Sequence, residues 1–399
     1  MFKRLILIIF LFICVHLFSQ KKEKLPVFAF HGVPPGQYST KDQFTTMKKA
    51  GIDICYTLFN NNEEVLRALD AAQEAGVKLV IKVETLFSDT ERTVKLLKNH
   101  PALYGYCLLD EPPPSKFDEL AKIVREIRKY DSNHITYINL FPNYVGKDVI
   151  DGYSYREYLD LFLQKVPVEF LSFDHYPIVN NEVRGDWYQN LETVRDICLK
   201  NKINFWAFAN STIHYNYLQP TIEGIRLQQF SNLLYGAQGL QYFAYWTLTY
   251  EYNWRKEKYG YSIVDDKGNP TPTYSVVKTV NEEIQRLAWV FLGAKSNAIF
   301  HTGDRIPQGT KRLFSIPNSF SSFSTKGGEA LISYMSNGNN EFIIIQNKSL
   351  HQNLYFSYKL KLSLRKVNND TGKTISLLTK RRHSDTILPG DVLIFTYKK

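Results

Sequence analysis

The sequence predicts a parallel (β/α)8 barrel followed by a small C-terminal antiparallel β-sandwich. Three observations predict it. Between residues 26 and 250, eight short apolar runs alternate with amphipathic helical stretches. Several of those runs are almost continuously hydrophobic, as parallel strands covered on both faces must be. Beyond residue 297 the texture changes to two-residue alternation broken by turn residues. Eight β–α repeats over about 250 residues favour a closed barrel.

The strand runs are Val27–Gly32, Ile52–Phe59, Lys78–Glu84, Leu103–Asp110, Ile135–Leu140, Phe170–Tyr176, Ile203–Asn210 and Gly239–Leu248. Asn62–Ala75, Lys116–Tyr130 and Pro220–Gly236 are the clearest helices between them. The first follows an Asn run able to cap it and is stopped by Gly76. No glycine-rich phosphate loop follows the first run, which argues against a dinucleotide fold. After the eighth run, 265–270 reads as a turn and Tyr274–Leu292 as one long helix ended by Gly293. The β-region contributes Ala330–Met335, Glu341–Gln346, Leu354–Leu364, Lys373–Leu378 and Val392–Tyr397, separated by turns at 336–338 and 389–391. The expected division is a signal peptide over 1–20, a TIM barrel over 21–295 and a sandwich over 296–399.

Length and composition fit this division. The chain has 399 residues, 44% hydrophobic and 22% charged, which is globular rather than disordered. Lys3 and Arg4 followed by the apolar stretch Leu5–Ser19 form an export signal, too short for a stable span. Large Ile13 before Cys14 disfavours a lipid anchor, so an exported protein, periplasmic or extracellular, is expected. Cys55, Cys107 and Cys198 make neither a metal motif nor a disulfide framework. Aromatic residues reach 14%, a supply of rings that could stack on sugars or cover a β-domain. The basic excess toward the C-terminus could meet an anionic surface but is usually a solvated face.

In a parallel barrel the chemistry sits at the C-terminal strand ends. Those ends carry His31, Tyr56, Glu84, Asp110 with Glu111, Asn139, Asp174 with His175 and Tyr176, Asn210, and Trp246 with Tyr250 and Glu251. Acids, amides, His and rings are what a carbohydrate pocket requires. The sharpest element runs from Leu103 to Pro114, where an apolar strand gives way to Asp110-Glu111 and three prolines fix the chain direction. Glu111 is expected as general acid, its pKa raised by apolar walls and the adjacent acid. Asp110 is its partner, and Asp174 the best remaining carboxylate. The bland alternative is a strand end whose acids are held in barrel salt bridges. The nine histidines are scattered, so no catalytic metal is expected, and no cofactor. The expected partner is a carbohydrate, not a nucleic acid.

The Tyr104–Pro112 run, Ser172–Ile178 and Gly239–Trp246 resemble clan-A-type barrel glycoside hydrolases, nearest in texture to the β-galactosidase and agarase branches. The resemblance implies that Glu111 is the acid/base at the end of strand four. It also implies a nucleophilic Glu on strand seven, where this chain has Asn210-Ser211. Three readings follow from that departure. Asp174 or Glu251 supplies the second carboxylate; Asp110 and Glu111 act together on an N-acetylated substrate, as the Asp-Glu pair of barrel hexosaminidases does; or the barrel binds sugar without cleaving it.

Overall fold

The computed structural model describes residues 24–399 except Lys258 and Lys380, so the export signal expected over 1–20 lies outside the described residues. Eight parallel strands close into a barrel: β1 Val27–Phe30, β2 Ile54–Phe59, β3 Lys78–Val83, β4 Leu103–Asp110, β5 Ile135–Leu140, β6 Phe170–Phe173, β7 Asn204–Asn210 and β8 Gly239–Phe243. Neighbours follow chain order around the ring, and β8 closes on β1. All eight predicted runs form strands. Where a run overshoots its strand, as at 174–176 and 244–248, the extra residues leave the ladder toward the barrel mouth.

The barrel is filled, not hollow. Phe28, Val80, Cys107, Tyr137, Phe170, Trp206 and Phe208 point inward and are buried. Phe28 stacks on Tyr137 at 5.0 Å, and Phe170 packs on Trp206 at 4.7 Å. One polar knot interrupts this apolar fill: the Tyr137 hydroxyl donates to Gln241 Oε1 at 2.7 Å, and Gln241 Nε2 donates to Ser172 Oγ at 2.9 Å. Each buried polar atom therefore finds a partner within the layer, as low-dielectric burial demands. Outside the ring, the helix Asn62–Ala75 is capped by Asn61 accepting from the Glu64 amide, and Gly76 closes it at φ 69°.

The helix expected over 274–292 is two. Pro272–Arg286 ends at Leu287, and a short turn of helix follows over Ala288–Phe291. The break turns Trp289 toward the β-region, where its ring nitrogen donates to the Gly372 carbonyl at 3.1 Å.

The C-terminal region is a β-sandwich. Its six-stranded sheet runs Lys295–His301, Ala330–Asn337, Asn340–Asn347, Val392–Lys398, Arg365–Val367, Thr374–Ser376; its three-stranded sheet is Phe320–Ser324, Leu354–Leu360, Arg382–Ile387. The run expected as one strand over 354–364 ends at Leu360, and the next strand, from Arg365, joins the other sheet. Ile332, Ile343, Phe356 and Phe395 fill the space between the sheets. The opposite face of the larger sheet, with Met335, Phe342 and Ile344, packs on barrel helices. Gln346 ties the two together, donating to the Leu227 carbonyl and accepting from Ser231. No helix among the described residues is long and apolar enough to cross a membrane.

Candidate active site

Two strands, β4 and β6, deliver the acids, and β5 between them delivers an amide. In the ladder Asp110 of β4 lies beside Asn139 of β5, and Asn139 beside Ser172 of β6. A glycine keeps β4 tight against β5: a Cβ on Gly105 would fall 2.4 Å from the Ile135 carbonyl oxygen. The Asn139 amide then bridges two carboxylates, donating to Asp110 Oδ1 at 3.1 Å and to Asp174 Oδ1 at 2.9 Å. Its own oxygen accepts from Ser172 Oγ at 2.9 Å, which fixes the amide's orientation and links it to the polar knot below.

Glu111 is held differently. Its backbone sits in the left-handed region at φ 49°, a conformation that costs a non-glycine residue free energy and that a following proline makes harder still. Two contacts hold it there: its amide donates to the Asn139 carbonyl at 2.8 Å, and Tyr158 donates to the Pro112 carbonyl at 2.9 Å. Strain of this kind, maintained by its surroundings, concentrates at functional positions.

The three carboxylates feel one another. Burial raises the Glu111 pKa, and the charges of Asp174 and Asp110 raise it further. Asp174 is raised by burial and then by Asp110, while Asn139 and Tyr176 act against the rise. Asp110 is walled by protein but open to solvent in the pocket. Burial raises its pKa too, opposed by the Asn139 hydrogen bond and the Lys82 ammonium of β3. Both aspartates thus have partners that favour their anions, and Glu111 has none. Of the three, Glu111 is the one whose rise, from burial and both neighbouring carboxylates, no partner opposes.

These acids line a cavity of about 330 Å³ with Phe30, Asn139, Tyr144, Tyr176, Phe208, His214, Tyr215, Tyr217, Phe243 and Tyr259. The loop after β7 supplies His214, Tyr215 and Tyr217, with His214 stacked on Tyr217 at 4.5 Å. Tyr144 comes from the loop after β5; the Arg184 guanidinium covers one side of its ring at 3.9 Å. Sequence reasoning missed these loop residues and Lys82. The loop rings lie outside any strand pattern, and Lys82 is a lone cation in an apolar run.

The remaining predicted residues are dispersed. His31, Tyr56, Tyr250 and Glu251 line a second cavity beside the first. Glu84 lies outside both, exposed at the start of a short helix. Asn210 does not line the acid cavity; its amide donates to the Thr212 carbonyl and accepts from the Thr212 amide. Trp246 is 1% exposed and backs Tyr38 at 5.0 Å, so it offers no open ring face. His175 is buried behind Tyr144, its Nε2 3.5 Å from Asp186. Glu111 and Asp174 make no salt bridge among the described residues, which removes the bland reading of the strand-four acids for Glu111.

No protein-family model matches the chain, and no curated protein matches its sequence. Solved structures do. It is similar to the α-L-arabinofuranosidase of Thermotoga maritima at 10% identity and a TM-score of 0.50, covering 95% of this chain and 97% of that one. The endo-β-1,4-mannanase of Thermotoga petrophila has 12% identity and a TM-score of 0.47, over 92% of this chain and 98% of that one. What this chain shares with the arabinofuranosidase at such identity is the fold, over nearly the whole length of both.

Proposed function

We propose that this chain is a glycoside hydrolase in which Glu111 protonates the departing sugar oxygen. The fold does not carry that reading, because one barrel hosts many chemistries. The carrying observation is the asymmetry among three convergent acids: Glu111 without an anion-stabilising partner, Asp110 and Asp174 both bonded to Asn139. Glycoside cleavage needs one carboxyl that stays protonated and another that is ionised. Asp174, reaching the cavity from the end of β6, is the second group in this reading. It acts as nucleophile or as base toward water according to its distance from Glu111. The ring-lined cavity supplies stacking faces for a sugar, and a bound sugar would displace water from around the acids.

Glu111→Gln tests the reading. Reducing-sugar release from a panel of aryl glycosides, aryl N-acetylhexosaminides and polysaccharides is expected to fall by at least about 10²-fold. The circular dichroism spectrum should be unchanged. Turnover like the wild type's would refute the assignment. A second reading, glycan binding without cleavage, is favoured by β7 ending in an amide, not a carboxylate, that does not line the acid cavity. Binding of the same glycans by the wild type, with no sugar released, would select it. We also propose, from sequence alone, that residues 1–20 direct export. N-terminal sequencing of protein recovered outside the cytoplasm should then begin near residue 20.

A further inference from the structure

The residues expected to hold substrate fall into two adjoining cavities. The acid cavity is one. The other, about 450 Å³, is lined by His31, Gln37, Tyr38, Tyr56, Asn60, Tyr250 and Glu251, among others. Phe30 is the partition between them: it lines the acid cavity, and its ring lies 4.8 Å from His31 and 4.5 Å from Tyr56 on the other side. Tyr56 in turn lies close enough to Asp110 to feel its charge.

The second cavity has the chemistry of a sugar site. Tyr250 is 59% exposed, a large open ring on the last barrel loop. Tyr38 is held by buried Trp246 behind it. Gln37 and Asn60 are exposed amides, and Glu251 an exposed carboxylate. His31 is kept in place by the Trp246 amide donating to its carbonyl at 2.9 Å. Neither cavity is lined by a Lys or Arg among the described residues, whereas four carboxylates, Asp110, Glu111, Asp174 and Glu251, line the pair. With Glu111 protonated, the other three carboxylates still leave the mouth without a lining cation to pair an anionic ligand, so such a ligand is disfavoured there.

We propose that the second cavity is a distal subsite and that the site takes a neutral oligosaccharide laid across the barrel mouth, one end over Glu111 and remote units against Tyr38 and Tyr250. The proposal rests on the carbohydrate reading above. It explains why rings and amides continue past the acids on the β1, β2 and β8 side of the mouth. It also sets the ligand class: polyhydroxylated, uncharged, and longer than the acid cavity alone would hold.

The test is equilibrium binding to the full chain carrying Glu111→Gln, by calorimetry. The probes are manno-, cello- and arabino-oligosaccharides from disaccharide to hexasaccharide, with oligogalacturonides as the anionic counterpart. Affinity for one neutral series is expected to rise with length. Adding Tyr250→Ala should weaken the hexasaccharide about tenfold and flatten that rise. Asn60→Ala, at another exposed position, should act in the same direction and serves if the first variant is unstable. Oligogalacturonides should bind more weakly than the neutral series. Equal affinity for short and long ligands, an equal loss on both with Tyr250→Ala, tighter binding of the galacturonides, or no binding of any probe would each overturn the proposal. The two readings fail separately. Length-dependent binding with a wild type that releases no sugar removes hydrolysis and keeps the subsite. Cleavage of aryl glycosides without length dependence removes the subsite and keeps hydrolysis.

Discussion

One amide hydrogen of Asn139 points at Asp174, 2.9 Å away, and the other points at Asp110. A single neutral side chain on β5 therefore stands between carboxylates at the ends of the two flanking strands, β4 and β6, and favours the ionised form of each. Its geometry is set by Ser172, which occupies the amide oxygen. The consequence is a division of labour: two acids whose anions accept a hydrogen bond from Asn139, and a third, Glu111, whose only hydrogen-bonding neighbour is the Asp174 carboxylate, which favours its protonated form.

Replacing the bridge should be costly. Asn139→Ala removes both hydrogen bonds and leaves two crowded carboxylates facing each other. It should lower stability by about 1–3 kcal/mol in urea unfolding. In the hydrolase reading, kcat/KM should fall by more than about tenfold, because the aspartates then titrate closer to Glu111. Unaltered kcat/KM would show that the bridge does not organise the acids.

The pH dependence follows from the direction of the shifts. Folding raises the pKa of Glu111 and of Asp174. A carboxyl raised on folding contributes stability that is fully present below its unfolded value, about 4, and is lost as pH climbs through the folded value. Tm should therefore decline as pH rises from the ordinary carboxylate range through neutrality. Glu111→Gln should shrink that decline by about 1–2 °C, allowing for partial exposure of the group. In the hydrolase reading, which needs Glu111 protonated, the wild type's alkaline limb of kcat/KM should lie above the ordinary carboxylate range. An alkaline limb near pH 4 to 5, or a Tm profile identical in wild type and variant, would contradict this.

Beneath the acids, Gln241 is fully buried, accepting from Tyr137 and donating to Ser172. Gln241→Leu keeps the volume but removes the acceptor of the Tyr137 hydroxyl and a donor to Ser172, leaving Tyr137 only its 3.0 Å contact with Ser172 Oγ. A loss of about 1–3 kcal/mol is expected from chemical denaturation. The isosteric Gln241→Glu should also destabilise, by placing an ionisable group where burial disfavours charge.

Gly105 sets the spacing of β4 and β5. Gly105→Ala brings a Cβ to 2.4 Å from the Ile135 carbonyl oxygen, and backbone cannot yield as a flexible side chain would. Destabilisation by about 1–3 kcal/mol is expected. Because the shift would be passed to Asp110 and Glu111 at the end of the same strand, activity should fall more than thermal stability predicts. A variant with wild-type Tm would show that β4 moves freely.

The sequence by itself determined the barrel. Each of its eight strands is buried on both faces, so the hydrophobic run is written directly into the residue order. The Asp110-Glu111 pair was legible for the same reason, since two acids interrupt an otherwise apolar strand. The sandwich was read less fully. Phe320–Ser324 and Arg382–Ile387 went unseen because they are half-exposed strands rich in serine or charge, with little apolar contrast. Tertiary structure alone decided which strand ends meet. It tied the Asn210 amide to Thr212 outside the acid cavity, buried Trp246 behind Tyr38, left Glu84 on the surface and brought Tyr144, His214 and Lys82 to the acids. Those outcomes depend on loop paths and on distances between groups far apart in the chain. Local periodicity reports which face of a strand is buried; it holds no information about what stands across the mouth of a closed barrel.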